Sequence, residues 1–363
     1  MNRRDFLRSG SLAFVGLTLS EVAVSLARNP PSDGWSIFEV TTRAEVLKPS
    51  GVTKVWLPAA LLQNTAFQRT LSNRVSAEGG EAKIVTSDNP SDLGIVAATF
   101  PSEVKPVLTL TSQVALKNYS VDLSKPGNPH PVSKAELQYF LRPHKKVPTD
   151  GIVKARATEI TQGAHTDVEK ARAIYEWIVE NTFRDPKARG CGRGDVQSML
   201  ESGDLGGKCA DLNALYVGLA RASGLPARDV YGIRVAKSGL GYKSLGASSE
   251  RITKAQHCRA EVYLTQFGWV PVDPADVRKV VLEEPPGNRP LSDEMVAGAR
   301  KRLFGSWEMN WMAYNFAQDV ELPGSSGTTL PFLMYPQAQT AEGTLDSLDP
   351  DNFKYEIMAK ELT

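Results

Sequence analysis

The sequence predicts an α+β fold in two unequal parts, and three observations carry the prediction. Residues from about Trp35 to Val121 are rich in Val, Thr and Leu and alternate in period two. Beyond the stretch "DLSKPGNPHPVSK" the period changes to that of amphipathic helices, and those helices interleave with apolar strands. The length, 363 residues, suits about two domains. We divide the chain into a leader over 1–27, a β-rich domain over 33–124, a linker over 125–137, a mixed domain over 138–340 and a tail over 341–363.

The leader comes first. Arg3 and Arg4 precede Phe6-Leu7, a mildly apolar run over 10–19 and the small-residue site Ser25-Leu26-Ala27. This is the pattern of a twin-arginine export signal, which places the mature chain in the periplasm or outside the cell. Glu21 interrupts the apolar run, and no later stretch reaches the roughly 20 apolar residues of a stable membrane span. The whole chain carries a formal charge of +1, from 42 Lys and Arg against 41 Asp and Glu. The leader holds that surplus, with three arginines against two acids, so the mature chain is formally neutral and has no electrostatic footprint for nucleic acid.

In the β-rich domain, Phe38, Val40, Thr42, Ala44 and Val46 alternate with Glu39, Thr41, Arg43 and Glu45, and Pro49-Ser50-Gly51 supplies a turn. Several such strands predict a small β-sandwich. The Pro, Gly and Asn of 125–137 read as a linker. Thr166 with Glu169 forms a capping box, and Ala171, Ile174, Tyr175, Ile178 and Val179 fall on one helical face, so a helix is predicted over 167–181. Leu212, Leu215, Tyr216 and Leu219 predict a second, stopped by Gly224 and Pro226. "ARDVYGIRVA" reads as a strand, Lys237 to Thr253 as a polar loop, and "HCRAEVYLTQFGWVPVDPADVRKV" as a hairpin. Trp307, Trp311, Met312 and Tyr314 read as core, and "LPFLMYPQA" as a strand completing the sheet of the mixed domain.

Within "GGKCADLNALYVGLARASGLPARDVYGIRV", Cys209 stands at the start of the second helix. A random cysteine is more often a small buried filler. Here, however, the positive end of the helix dipole and the neighbouring Lys208 favour a thiolate. First-turn N–H groups beside Gly207 and Lys208 could receive an oxyanion. A thiol nucleophile needs an imidazole. His130, His144 and His165 lie in polar surroundings and are expected at the surface, whereas His257 opens an apolar strand. The returning arm ends at Val272-Asp273-Pro274. A four-residue turn over 265–268 would set Asp276 opposite His257, with Asp273 also within reach to orient the ring.

These two stretches, "GGKCADLNALYVGLARASGLPARDVYGIRV" and "QHCRAEVYLTQFGWVPVDPAD", resemble the core of the transglutaminase-like superfamily, a branch of the papain-like thiol enzymes. The resemblance implies a helix-borne nucleophile, Cys209, served by His257 and Asp273 on adjacent strands, and it selects Asp273 over Asp276. It covers roughly residues 165–285. The family often has Ala-Trp after the histidine, where this sequence has Cys258-Arg259. Gln256, before the histidine, joins Gly207 and Lys208 as a candidate for the substrate or oxyanion region.

The odd number of cysteines in an exported chain leads us to expect a Cys191–Cys258 disulfide beside a free Cys209. Zinc held by Cys191, Cys258, His257 and Glu261 is disfavoured, because the spacing matches no familiar pattern, and no metal or cofactor is expected. The expected function is a thiol enzyme acting on a protein or peptide, with cell-wall peptide among the candidates, through a thioester. Hydrolysis, as in a cysteine peptidase or amidase, is the leading reading, because water is abundant outside the cell. Transfer to an amine, and a non-catalytic binding or scaffold role, are the alternatives.

Overall fold

The computed structural model of the chain describes residues 22–25, 34–327 and 329–362, so Arg3, Arg4 and most of the expected leader lie outside the described residues. Among the described residues no helix is long and apolar enough to cross a membrane.

Two five-stranded antiparallel sheets form a sandwich. One runs in the order 22–25, 68–77, 107–117, 35–46, 353–362, and the other in the order 343–344, 337–340, 53–58, 94–100, 81–86. The alternation read in Trp35–Val46 is real: Phe38, Val40, Ala44 and Val46 are buried between neighbours that are not. The sandwich core draws Val46, Val75, Leu108 and Leu110 from the first sheet and Val55, Leu57, Val96 and Phe100 from the second.

Two expectations about the C-terminal region are corrected here. Residues 341–363 are no tail, since Phe353–Leu362 pairs along its whole length with the strand Trp35–Val46. "LPFLMYPQA" does not complete the sheet of the mixed domain; its end, within Gln337–Thr340, pairs with Thr53–Pro58 in the sandwich. The reason is geometric. Trp311–Asn315 already occupies the edge of the mixed-domain sheet beside Ala227–Arg234, and the chain then crosses back to bury Ala338 and Phe353 in the sandwich core. The first helix, Lys134–Tyr139, also starts inside the expected linker, because Ser133 caps it by accepting from the Glu136 N–H.

The mixed domain is built on a four-stranded antiparallel sheet ordered 268–272, 256–264, 227–234, 311–315. The helix Cys209–Ala222 packs on it, buried at every residue. Around it lie the helices Gly151–Ile160, Asp167–Asn181, Val196–Ser202 and Pro274–Glu283. The helix Asp167–Asn181 has the predicted bounds and capping box, and buries the predicted face. The hairpin register is one residue off the expectation: Leu264 pairs with Gly268 across a three-residue turn, and the last pair is Ala260 with Val272. His144 is also corrected. Its imidazole is 7% exposed rather than at the surface, because Asp319 reaches its Nδ1 at 3.1 Å.

Candidate active site

Cys209 is the first residue of its helix and only 4% exposed. Its position depends on Asp211, two residues on. The buried Asp211 carboxylate accepts the N–H groups of Arg193 at 2.7 Å, Gly194 at 2.9 Å and Lys208 at 2.9 Å, clamping the 191–194 loop to the helix N-terminus. This close approach needs glycine: a Cβ at Gly192 would lie 1.8 Å from Asp211 Oδ2, and one at Gly207 would lie 2.5 Å from Asp211 Cβ. In addition, the Ala210 N–H donates to the Cys191 carbonyl at 2.9 Å.

The clamp brings the three cysteines together. Cys191, Cys209 and Cys258 are all buried free thiols, so the expected Cys191–Cys258 disulfide is absent. Cys209 lies beside both other thiols, which favour its ionised form. The Cys191 sulfur also lies 3.4 Å from the Gln256 carbonyl, and the Tyr335 hydroxyl is hydrogen-bonded to it.

His257 Nε2 sits 2.7 Å from Asp273 Oδ2 and 3.4 Å from Asp276 Oδ1, so both aspartates weighed in the sequence reach the ring and Asp273 is the nearer. The ring also stands beside the Cys209 sulfur and favours its ionised form. With Nε2 turned to the carboxylates, Nδ1 is the nitrogen left for the thiol. Asp273 has further duties: its Oδ1 accepts from Asn213 Nδ2 at 3.2 Å and from the Asp276 N–H at 3.0 Å, capping the next helix. Asp276 is held by Arg234, whose Nη2 meets its two oxygens at 2.6 and 2.8 Å. The Trp311 indole donates to the His257 carbonyl at 2.8 Å, and Arg259 lies over the Trp311 ring at 4.7 Å. A tryptophan from a distant strand thus sits beside the histidine, although the residues after His257 are Cys258-Arg259.

The charges follow from these contacts. Cys209 is held well below the usual thiol range by hydrogen bonds from Cys191, Cys258 and His257, which outweigh its burial. Burial and Arg234 push His257 down, but Asp276 and Asp273 overcome them and its pKa is raised. Burial and the Asp276 charge raise Asp273, against the pull of His257 and Arg259. Asp276 is strongly depressed, because Arg234 and His257 outweigh its burial. The site therefore favours a thiolate beside an imidazolium. Donor atoms of His257, Asp273 and Asp276 lie within 4.8 Å of one another. Arg234, Arg259 and the imidazole already meet those carboxylates, which leaves a divalent cation facing two guanidinium groups. Glu261 points elsewhere and pairs with Arg228 at 2.7 Å, so the four groups weighed for zinc do not converge.

A cleft of about 630 Å³ opens on Cys209 and His257, lined also by Cys191, Lys208, Gln256 and Tyr335. Gln256 Nε2 is buried there with no hydrogen-bond partner among the described residues. Lys208 turns aside, its Nζ donating to the Ala188 carbonyl at 2.6 Å, and Gly207 bridges to Arg184 in a short parallel pair. Sequence reasoning missed Asp211, Asn213 and Arg234. Only Asp211 carried a local signal, as the third residue of a helix whose cap it serves.

Comparison with known proteins agrees with this architecture. The family model described as the transglutaminase-like superfamily matches residues 154–274, a span that includes Cys209, His257 and Asp273. An uncharacterized protein of Haemophilus influenzae is 34% identical over 352 residues, covering 90% of this chain and 92% of the relative. A crystal structure from Cytophaga hutchinsonii, described as that of a candidate cysteine protease, superposes with a TM-score of 0.51 at 14% identity, covering 94% of this chain and all of that one. The chain belongs to the transglutaminase-like superfamily.

Proposed function

We propose that the chain is an exported thiol hydrolase that cleaves carboxamide or peptide bonds through Cys209, His257 and Asp273. The observation carrying this reading is the buried line of contacts from the Cys209 sulfur through the His257 ring to the Asp273 carboxylate, at the floor of an open cleft. The Cys209 thiolate attacks the carbonyl carbon. The amides of Ala210, Asp211 and Leu212 are taken by Cys191 and Lys208 carbonyls, so the first turn offers the Cys209 amide to the oxyanion. The unpartnered Gln256 Nε2 is the second donor. His257 passes its Nδ1 proton to the leaving nitrogen as the C–N bond breaks and a thioester remains. Asp273 holds the ring by Nε2 throughout. Water, deprotonated by His257, then attacks the thioester, releasing the acid and returning the proton to the pair.

Water is favoured over an amine acceptor by the cations lining the cleft, which repel a protonated lysine side chain. The test is mass spectrometry of peptide amides incubated with the protein, with and without a primary amine, alongside Cys209→Ala. Shortened or deamidated peptides that vanish in the variant support hydrolysis, and amine-ligated products support transfer. A folded protein that yields neither, and whose Cys209 resists a thiol-directed probe, overturns the enzyme reading.

A further inference from the structure

The cleft at Cys209 is strongly cationic in a chain whose net charge is only +1. Arg184, Lys208, Arg234, Arg251, Lys254 and Lys279 line it, and among the described residues no aspartate or glutamate does. These six come from five separate segments, unlike a run of charges along one solvated helix face. Among the described residues their ion-pair partners number three: Asp276 for Arg234, Glu356 for Arg251, and Glu283, which Arg184 and Lys279 share. Lys279 meets Glu283 only at 3.8 Å, with its side chain 18% exposed, and burial together with Arg234 and Arg184 lowers its pKa against the pull of Asp276 and Glu283. Lys208 spends its ammonium on a carbonyl. Among the described residues three carboxylates thus answer six lining cations, in a concave wall where the field is less screened than on open surface.

Resting on the reading of this cleft as a peptide-cleaving site, we propose that it selects substrates bearing a carboxylate beside the scissile amide, held by Lys279 and Arg184. An arriving carboxylate supplies the partner that Glu283 must otherwise divide between two cations. The carboxylate has two sources, an acidic side chain or a free C-terminus, and both place the same chemistry against the wall.

Binding and turnover are measured separately. The full-length Cys209→Ala protein is titrated with fluorescent peptides of one sequence carrying Glu, Gln or Lys beside the target amide, each as free acid and as C-terminal amide. The expected result is an affinity at least about tenfold higher for an acid-bearing peptide than for its neutral match, equivalent to about 1.4 kcal/mol. The gap should narrow in high salt and shrink on adding Lys279→Gln or, separately, Arg184→Gln. Preference for Glu over Gln assigns the side chain as the source, and preference for acid over amide assigns the C-terminus. Equal binding of all peptides, no binding of any, or an acid preference that survives both substitutions overturns the proposal. Turnover by the parent protein reports on the hydrolase reading instead: cleavage without acid preference refutes only the substrate class, and acid-selective binding without cleavage refutes only the chemistry.

Discussion

Replacing Cys191 by alanine should raise the pKa of Cys209, because the thiolate loses one of the thiols that favour it. Cys191 has a single S–H proton and two acceptors within reach, the Gln256 carbonyl at 3.4 Å and the Cys209 sulfur. While Cys209 is protonated, the carbonyl is the better acceptor. Once Cys209 ionises, its charged sulfur draws the proton, so only the thiolate state gains. Hydrogen bonds to charged groups contribute about 1.5–3 kcal/mol, and a thiol is a weak donor, which sets the effect near the lower bound. The assay is the rate of iodoacetamide alkylation across pH, where the reactive species is the thiolate. Cys258 does not intrude, because burial pushes its own thiol up. The midpoint should move up in Cys191→Ala and return to or below the parent value in Cys191→Ser, whose hydroxyl is the stronger donor. An alanine midpoint coincident with the parent's would refute the reasoning.

Asp273→Asn keeps an acceptor for the helix cap but removes the charge facing His257, and kcat for peptide hydrolysis should fall by at least about 100-fold. Gln256→Ala removes one proposed oxyanion donor, for which a loss of about 100- to 1000-fold in kcat with little change in KM is expected from steady-state kinetics. Hydrolysis should rise with pH as the depressed Cys209 thiol ionises and fall as His257 passes its raised pKa. Asp276 is one of the charges that raise His257, so Asp276→Asn should shift the alkaline limb of the kcat/KM profile to lower pH. The same substitution leaves the 3% exposed Arg234 side chain without its counter-charge, and urea unfolding should show a loss of about 3–5 kcal/mol.

Local signals are legible in the sequence, and those that depend on distant partners are not. The helix Asp167–Asn181 declares itself through a capping box and an apolar face contained in a dozen residues. The strand Phe353–Leu362 does not, because what makes it a strand is the exposed edge of Trp35–Val46, some 300 residues earlier. The hairpin register slipped because a turn of three residues and one of four leave the same trace in "TQFG". Parity of cysteines suggested a bond between Cys191 and Cys258, yet the fold places Cys209 against both and uses them as donors. That arrangement rests on the Asp211 clamp, whose glycine partners are spread over two loops.

The pairing of Phe353–Leu362 with Trp35–Val46 has a consequence for the order in which the molecule can be completed. A ribosome delivers the sandwich strands through Val107–Lys117 before the mixed domain and the strand that closes their outer edge after it. Throughout synthesis of the mixed domain, Trp35–Val46 presents an unpaired row of backbone donors and acceptors, the kind of edge that recruits strands from other chains. Pairing of Phe353–Leu362 covers that edge, and because Ile357 and Ala359 also bond the backbone of residues 250 and 252, the same strand ties the sandwich to the rim of the thiol cleft.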